Sequence, residues 1–166
     1  IVREEGWRGK PLRILDVGSG TGSFAILIKQ KEPHAIVMGL DPDPEARRIA
    51  AAKAAEAEVE VAWQSGFARD AANFGKFDKV VSSLVFHQVP VEEKRAGLEA
   101  MFTATKPGGL VLIADYAEQR SWLMRQAFKI VQSADGRTNT QPNADGFLEQ
   151  ELERICGAPQ TAVWSL

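Results

Sequence analysis

An apolar run that breaks into three alternate glycines restricts the fold of this chain more than any other feature. Residues 12–17 read Leu-Arg-Ile-Leu-Asp-Val, and Gly18-Ser19-Gly20-Thr21-Gly22 follows at once. The run has strand length, with Pro11 before it and glycine after it, so it predicts a buried strand. Residues 23–31 carry Phe24, Leu27 and Ile28 at helical spacing, which predicts a helix packed on that strand. Between the two, bare backbone permits positive φ and the close approach of a ligand.

The same alternation continues along the chain. Residues 35–40 predict a second strand, stopped by Asp41-Pro42-Asp43-Pro44. Pro44 suits the first turn of an alanine-rich helix reaching residue 57. Residues 59–63 predict a third strand and the valine-rich residues 77–83 a fourth. Residues 91–105 predict a helix, with Glu92 and Glu93 in the first turn where the dipole favours acids. Its inner stripe is expected to be Leu98, Met101, Phe102 and Thr105. Lys106-Pro107-Gly108-Gly109 is expected to end that helix and turn into a fifth strand over 110–115. A further helix is expected to carry Arg120, Trp122, Met124, Arg125, Phe128 and Lys129, the apolar three as packing or as pocket walls. The polar, turn-rich segment 133–146 reads as a mobile loop or lid. Residues 147–155 predict one more helix, and 161–166 the start of a sixth strand. Strands alternating with helices predict a three-layer α/β sandwich whose mostly parallel sheet is covered on both faces. All 166 residues are expected to form one domain.

Composition removes several classes of function. The net charge is -2 and no basic run is present, which argues against nucleic-acid binding. A single cysteine, Cys156, forbids an internal disulfide and leaves a Cys-based zinc site without support, so no metal is expected. No apolar stretch nears the roughly 20 residues that span a bilayer. The expected setting is the reducing cytoplasm. The chain opens IVREEGWRGK without an initiator Met, and the expectation is that sequence precedes Ile1. An exposed edge near Val163 leaves monomer and homodimer both open.

Two ligand classes compete for the glycine loop. The dinucleotide fingerprint G-x-G-x-x-G requires its third glycine where this chain has Ser23. The spacing here is instead an acid, Asp16, followed by G-x-G-x-G. In this the chain resembles the class I S-adenosylmethionine-dependent methyltransferases of small molecules. The resemblance runs from residue 12 to 116, through GLDPDP at 39–44, FDKVVSSLVFHQVP at 77–90 and KPGGLVLIADY at 106–116. It implies a seven-stranded-type sheet in the order 3-2-1-4-5-7-6, with the C-terminal hairpin incomplete in this chain.

The resemblance also implies site roles. Gly18, Ser19 and Gly20 would bend under the methionine part of the cofactor, and Asp16 would organise the loop or the amino group. Asp41, followed by Pro42, would accept from both ribose hydroxyls; capping the next helix is its other role, for which Asp43 is better placed. The backbone at Ser82 would meet the amino group. The family has Gly-Asp-Ala where this chain has Gly66-Phe67-Ala68. Phe67 either covers the adenine face or belongs to the core, while amides near Ala68 would serve the ring; Asp70 is wrongly offset to replace the missing acid. His87 would lie near the transferred methyl as a general base, or pack at the start of the helix. Tyr116 would orient the acceptor or serve structure alone. His34 sits in a polar turn and is expected to be solvated.

The implied function is methyl transfer from S-adenosylmethionine to a small organic acceptor. The alternative is a non-catalytic module that binds S-adenosylmethionine or S-adenosylhomocysteine, motivated by Phe67 and the short C-terminus. No N-P-P-Y segment, Pro-Cys nucleophile or magnesium-type acid cluster appears. Removing Asp41 is expected to weaken cofactor binding and leave the fold intact.

Overall fold

The structure, a computed structural model, describes residues 11–116 and 137–157. Five strands form one sheet in the order β3-β2-β1-β4-β5. They are β1 (Arg13–Val17), β2 (Ile36–Leu40), β3 (Ala62–Gln64), β4 (Phe77–Ser83) and β5 (Thr105–Ala114). Every pair is parallel. The helices are α1 (Ser23–Lys31), α2 (Pro44–Glu56), α3 (Val91–Ala104), α4 (Arg137–Ala144) and α5 (Phe147–Cys156). The order matches the first five strands of the expected sheet. The expected strand over 161–166, the helix with Arg120 to Lys129, Val163 and residues 133–136 lie outside the described residues.

Strand alternation sorts the core into two layers. Leu15, Val17, Leu40 and Val80 meet Leu98 and Met101 of α3 and Leu148 of α5 on one face. Ile14, Val37 and Val81 meet Ala25 and Ile28 of α1 on the other. Full burial of each such Leu, Ile or Val contributes about 1.5–3 kcal/mol before entropy is counted. Both layers close on the central pair β1 and β4, whose carboxyl ends fall together because Val17 pairs with Ser82. That edge is the site.

The elements differ from expectation in five places. Leu27 is 47% exposed, and Ala25, Ile26 and Ile28 carry the buried face of α1. The third strand begins three residues late, because Glu58 adopts φ 52 and the Val59 amide closes onto the Ala54 carbonyl of α2. Thr105 leaves α3 and opens β5, so the buried stripe of that helix is Lys94, Gly97, Leu98, Ala100, Met101 and Ala104, without Phe102. Lys106 to Gly109 do not end a helix; they form a bulge inside β5, between the pairs Phe77–Thr105 and Lys79–Leu110.

The fifth difference lies in the segment read as a loop. Residues Arg137–Ala144 form α4, with Pro142 inside it. Its buried residues include Thr140 and Asn143, each 0% exposed. The ordering contacts are polar, so no apolar period announced the helix.

Candidate active site

The glycine loop is tied back to the sheet before any ligand is considered. The amides of Gly18 and Ser19 donate to the Leu40 carbonyl at 2.8 and 3.1 Å, and the Gly20 amide donates to Asp41 Oδ2 at 2.8 Å. Asp41 is 9% exposed, and its other oxygen accepts from the Asp43 amide at 2.9 Å. Asp43 itself caps α2 through Glu45, so capping is not the task of Asp41. The Asp41 carbonyl accepts from Arg47 Nη1 at 2.6 Å and from the Gly66 amide at 3.4 Å. Asp41 therefore fastens the loop, α2 and the segment after β3 together.

A cleft of about 440 Å³ opens over this loop. Asp16, Gly18, Ser19 and Gly20 line it from the loop, Phe24 from α1, and Ser83, Leu84, Val85, Gln88 and Val89 from the segment after β4. Two buried polar atoms there have no hydrogen-bond partner, Asp16 Oδ2 and Ser19 Oγ. Burial pushes the Asp16 carboxyl up to about 7, reinforced by Asp41 and opposed by a hydrogen bond from the Ala25 amide. No lysine or arginine lines the cleft among the described residues.

These facts separate the two ligand classes. A pyrophosphate site would turn loop amides toward an anion, whereas three of these amides are spent on Leu40 and Asp41. The unpartnered polar atoms of the lining are a carboxyl oxygen and a hydroxyl, and no basic side chain is placed there to meet an anion. A family model described as "Methyltransferase domain" matches residues 14–109, more than half of the chain. The chain belongs to this methyltransferase domain family.

Among relatives, a demethylmenaquinone methyltransferase of Deinococcus radiodurans is 28% identical over 137 residues, covering 76% of this chain and 56% of that protein. One from Thermus thermophilus is 33% identical over 108 residues, covering 64% and 48%. The chain thus spans about half the length of the curated relatives it matches. Two solved structures share the fold. An O-methyltransferase family protein from Burkholderia thailandensis has TM-score 0.74 at 18% identity, covering 93% of this chain and 48% of that one. The plantazolicin methyltransferase BpumL in complex with SAH has TM-score 0.66 at 20% identity, covering 90% and 57%.

Within this methyltransferase domain the expected site residues fall into two groups. Asp16, Gly18, Ser19 and Gly20 share the cleft. Asp41, Pro42, Phe67 and Ala68 follow β2 and β3 beside the loop and do not line it. Phe67 is 50% exposed and outside both apolar layers, so it is not a core residue. The Arg69 guanidinium lies 4.5 Å from its ring centroid, and Asp70 accepts from its amide at 2.9 Å, which occupies the one acid that could have replaced the missing one. Ala68 packs toward Gly97 of α3. Ser82 is buried and donates to the Val17 carbonyl at 2.9 Å, bracing β4 on β1; Ser83 is the serine that lines the cleft.

His87 sits in a short 3-10 turn, Phe86–Gln88, and is 4% exposed. Its Nδ1 lies 2.9 Å from Asp115 Oδ1, and with a carboxylate as partner that nitrogen carries the proton. Tyr116 packs edge-on against the imidazole at 5.0 Å. Asp115 also accepts from the amides of Phe86, His87 and Tyr116, so it organises the whole turn. Asp115 was missed in the sequence, although an acid just past the carboxyl end of a parallel strand is a usable signal. Lys94 was missed as well. It is fully buried and donates to the Asn139 carbonyl at 2.6 Å and to Asn143 Oδ1, while Asn139 donates to the Gln88 carbonyl at 2.9 Å. Burial holds its pKa down to about 8, with Asp115 acting the other way. This network clamps α4 onto the His87 turn. Among the described residues no cluster of three or more His, Cys, Asp or Glu could hold a metal, and no helix is long and apolar enough to cross a membrane. His34 is exposed.

Proposed function

We propose that this domain binds S-adenosylmethionine in the glycine-loop cleft and transfers its methyl group to a small organic acceptor in a cytoplasmic setting. The observation that carries the reading is the unpartnered, buried Asp16 oxygen beside a loop whose Gly18, Ser19 and Gly20 amides are already used. The residues fit such a donor. Asp16 takes the ammonium of its methionine part, Ser19 Oγ offers a second unpartnered polar atom, and a Cβ at Gly20 would meet nothing within 4 Å, leaving bare backbone open to a ligand. Asp41 takes the ribose hydroxyls through lone pairs not used by the two amides, Pro42 follows it, and Phe67 with the Ala68 backbone covers the adenine.

When bound, the donor supplies an electrophilic methyl: the acceptor's lone pair makes the new bond and the carbon–sulfur pair returns to sulfur. Positioning supplies much of the acceleration of such an in-line displacement. A base is required only for an acceptor that loses a proton. His87, oriented by Asp115, is the imidazole whose neighbours Gln88 and Val89 line the cleft, and Tyr116 packs on its ring. The relatives named for demethylmenaquinone support an acceptor of small-molecule size.

The test is titration with S-adenosylhomocysteine (SAH). At about 100 times its dissociation constant it should stabilise the domain by about 2.7 kcal/mol. Its affinity should be highest above pH 7 and fall roughly tenfold per unit below it, because the raised Asp16 must ionise to receive the ammonium. Asp16→Asn should lower the affinity and flatten that profile. No thermal shift at saturating SAH would refute the reading. A pH-independent affinity would remove Asp16 from it, and binding without turnover on an acceptor panel would leave a binding module.

A further inference from the structure

Leu84 occupies a conformation that its side chain does not favour. Its φ is 57, in the left-handed region where glycine and asparagine are the usual residues. The backbone is held there from both sides. Its amide donates to the Ala114 carbonyl at 2.8 Å, and just beyond it Asp115 captures the amides of Phe86 and His87. A turn of this kind gains nothing from leucine. Nor does the core, since the residue is 54% exposed and outside both apolar layers. An outlier retained at a cleft points to what the cleft holds.

The cleft has two characters. Its polar floor is Asp16 and Ser19, the part assigned above to the donor. Its apolar rim is Phe24, Leu84, Val85 and Val89. The two meet closely, because Val85 presses on the backbone of Gly18, where a Cβ would lie 2.4 Å from Val85 Cγ2. We propose that Leu84 is an acceptor-contact residue, turned out by its left-handed backbone so that the rim receives an apolar acceptor beside the donor. This rests on the methyl-donor reading of the same cleft and adds the class of acceptor and the residue that selects it.

The probe is 2-naphthol, titrated into the domain with and without saturating SAH. The wild type should bind it in both conditions. Leu84→Asn, which suits the left-handed backbone and removes the apolar surface, should weaken naphthol binding at least fivefold. The same variant should change SAH affinity less than twofold and melt no lower than wild type. Leu84→Met keeps the apolar surface and should keep naphthol affinity within twofold. The proposal is overturned by a wild type that binds no naphthol or releases it when SAH is added. It is equally overturned by unchanged binding in Leu84→Asn, by loss in both variants, or by loss of SAH affinity in its place. Failure of SAH to bind the wild type would refute the donor reading separately, since the naphthol titration without SAH still reports on the rim.

Discussion

Asp41→Ala should lose both stability and donor affinity. The side chain is 9% exposed and accepts from the Gly20 amide at 2.8 Å and the Asp43 amide at 2.9 Å. A buried donor left without its acceptor costs about 1–3 kcal/mol. Water can reach Asp43, which is exposed, so the penalty falls mainly on Gly20. The loss is about 1–3 kcal/mol, equivalent to a drop of roughly 2–12 °C in melting temperature for a chain of this size. Loss of charge-assisted hydrogen bonds to a ribose diol would weaken SAH binding by about 100-fold beyond that. Thermal denaturation and SAH titration of the same preparation separate the two effects. Wild-type melting would show that the loop does not depend on Asp41; wild-type affinity would remove it from the ribose. The sequence alone led to the expectation of weaker cofactor binding in an intact fold; the added loss of stability comes from backbone partners that one carboxylate at a strand end does not reveal.

That difference marks where legibility ended. Strand and helix positions along residues 12–57 were readable because each buried strand is a short apolar run punctuated by glycine or proline, as at Val17–Gly18 and Leu40–Asp41. The methyltransferase family was legible from the resemblance carried by Asp16 and the spacing of Gly18, Gly20 and Gly22. What failed were elements ordered by polar contacts. Helix α4 is fixed by polar contacts among Lys94, Asn139 and Asn143, and asparagine ordinarily signals a loop. The carboxylate that holds the His87 turn, Asp115, lies 28 residues from its partner, and no local pattern links them. The bulge in β5 escaped for a related reason: Pro107-Gly108-Gly109 is a stop signal locally, while pairing with β4 on either side of it continues the strand.

Gly22→Ala and Gly20→Ala should fail in opposite ways, although both glycines belong to one motif. Gly22 has φ +79, and a Cβ there would lie 2.6 Å from Trp63 Cη2, 2.7 Å from Ala50 Cβ and 3.2 Å from the Ala50 Cα. Trp63 is an indole packed against the α1-side layer and Ala50 is a fully buried position of α2, so neither yields cheaply. Left-handed strain of about 1 kcal/mol and overpacking of about 1–3 kcal/mol add to a loss of roughly 2–4 kcal/mol. The melting temperature should fall by roughly 6–15 °C. Gly20 has φ +50 but nothing within 4 Å of a Cβ, so its alanine meets the strain alone, about 1 kcal/mol. That methyl instead occupies space at a residue lining the cleft, and SAH affinity should drop at least tenfold, or about 1.4 kcal/mol. Parallel melting and titration decide the matter. If Gly20→Ala binds SAH like wild type, the donor does not lie against that backbone. If Gly22→Ala melts like wild type, the contact between loop and α2 is looser than the spacing of Trp63 and Ala50 demands. The crossed result would show that one glycine of the motif serves the ligand and the other serves the packing of the two helices that hold the loop in place.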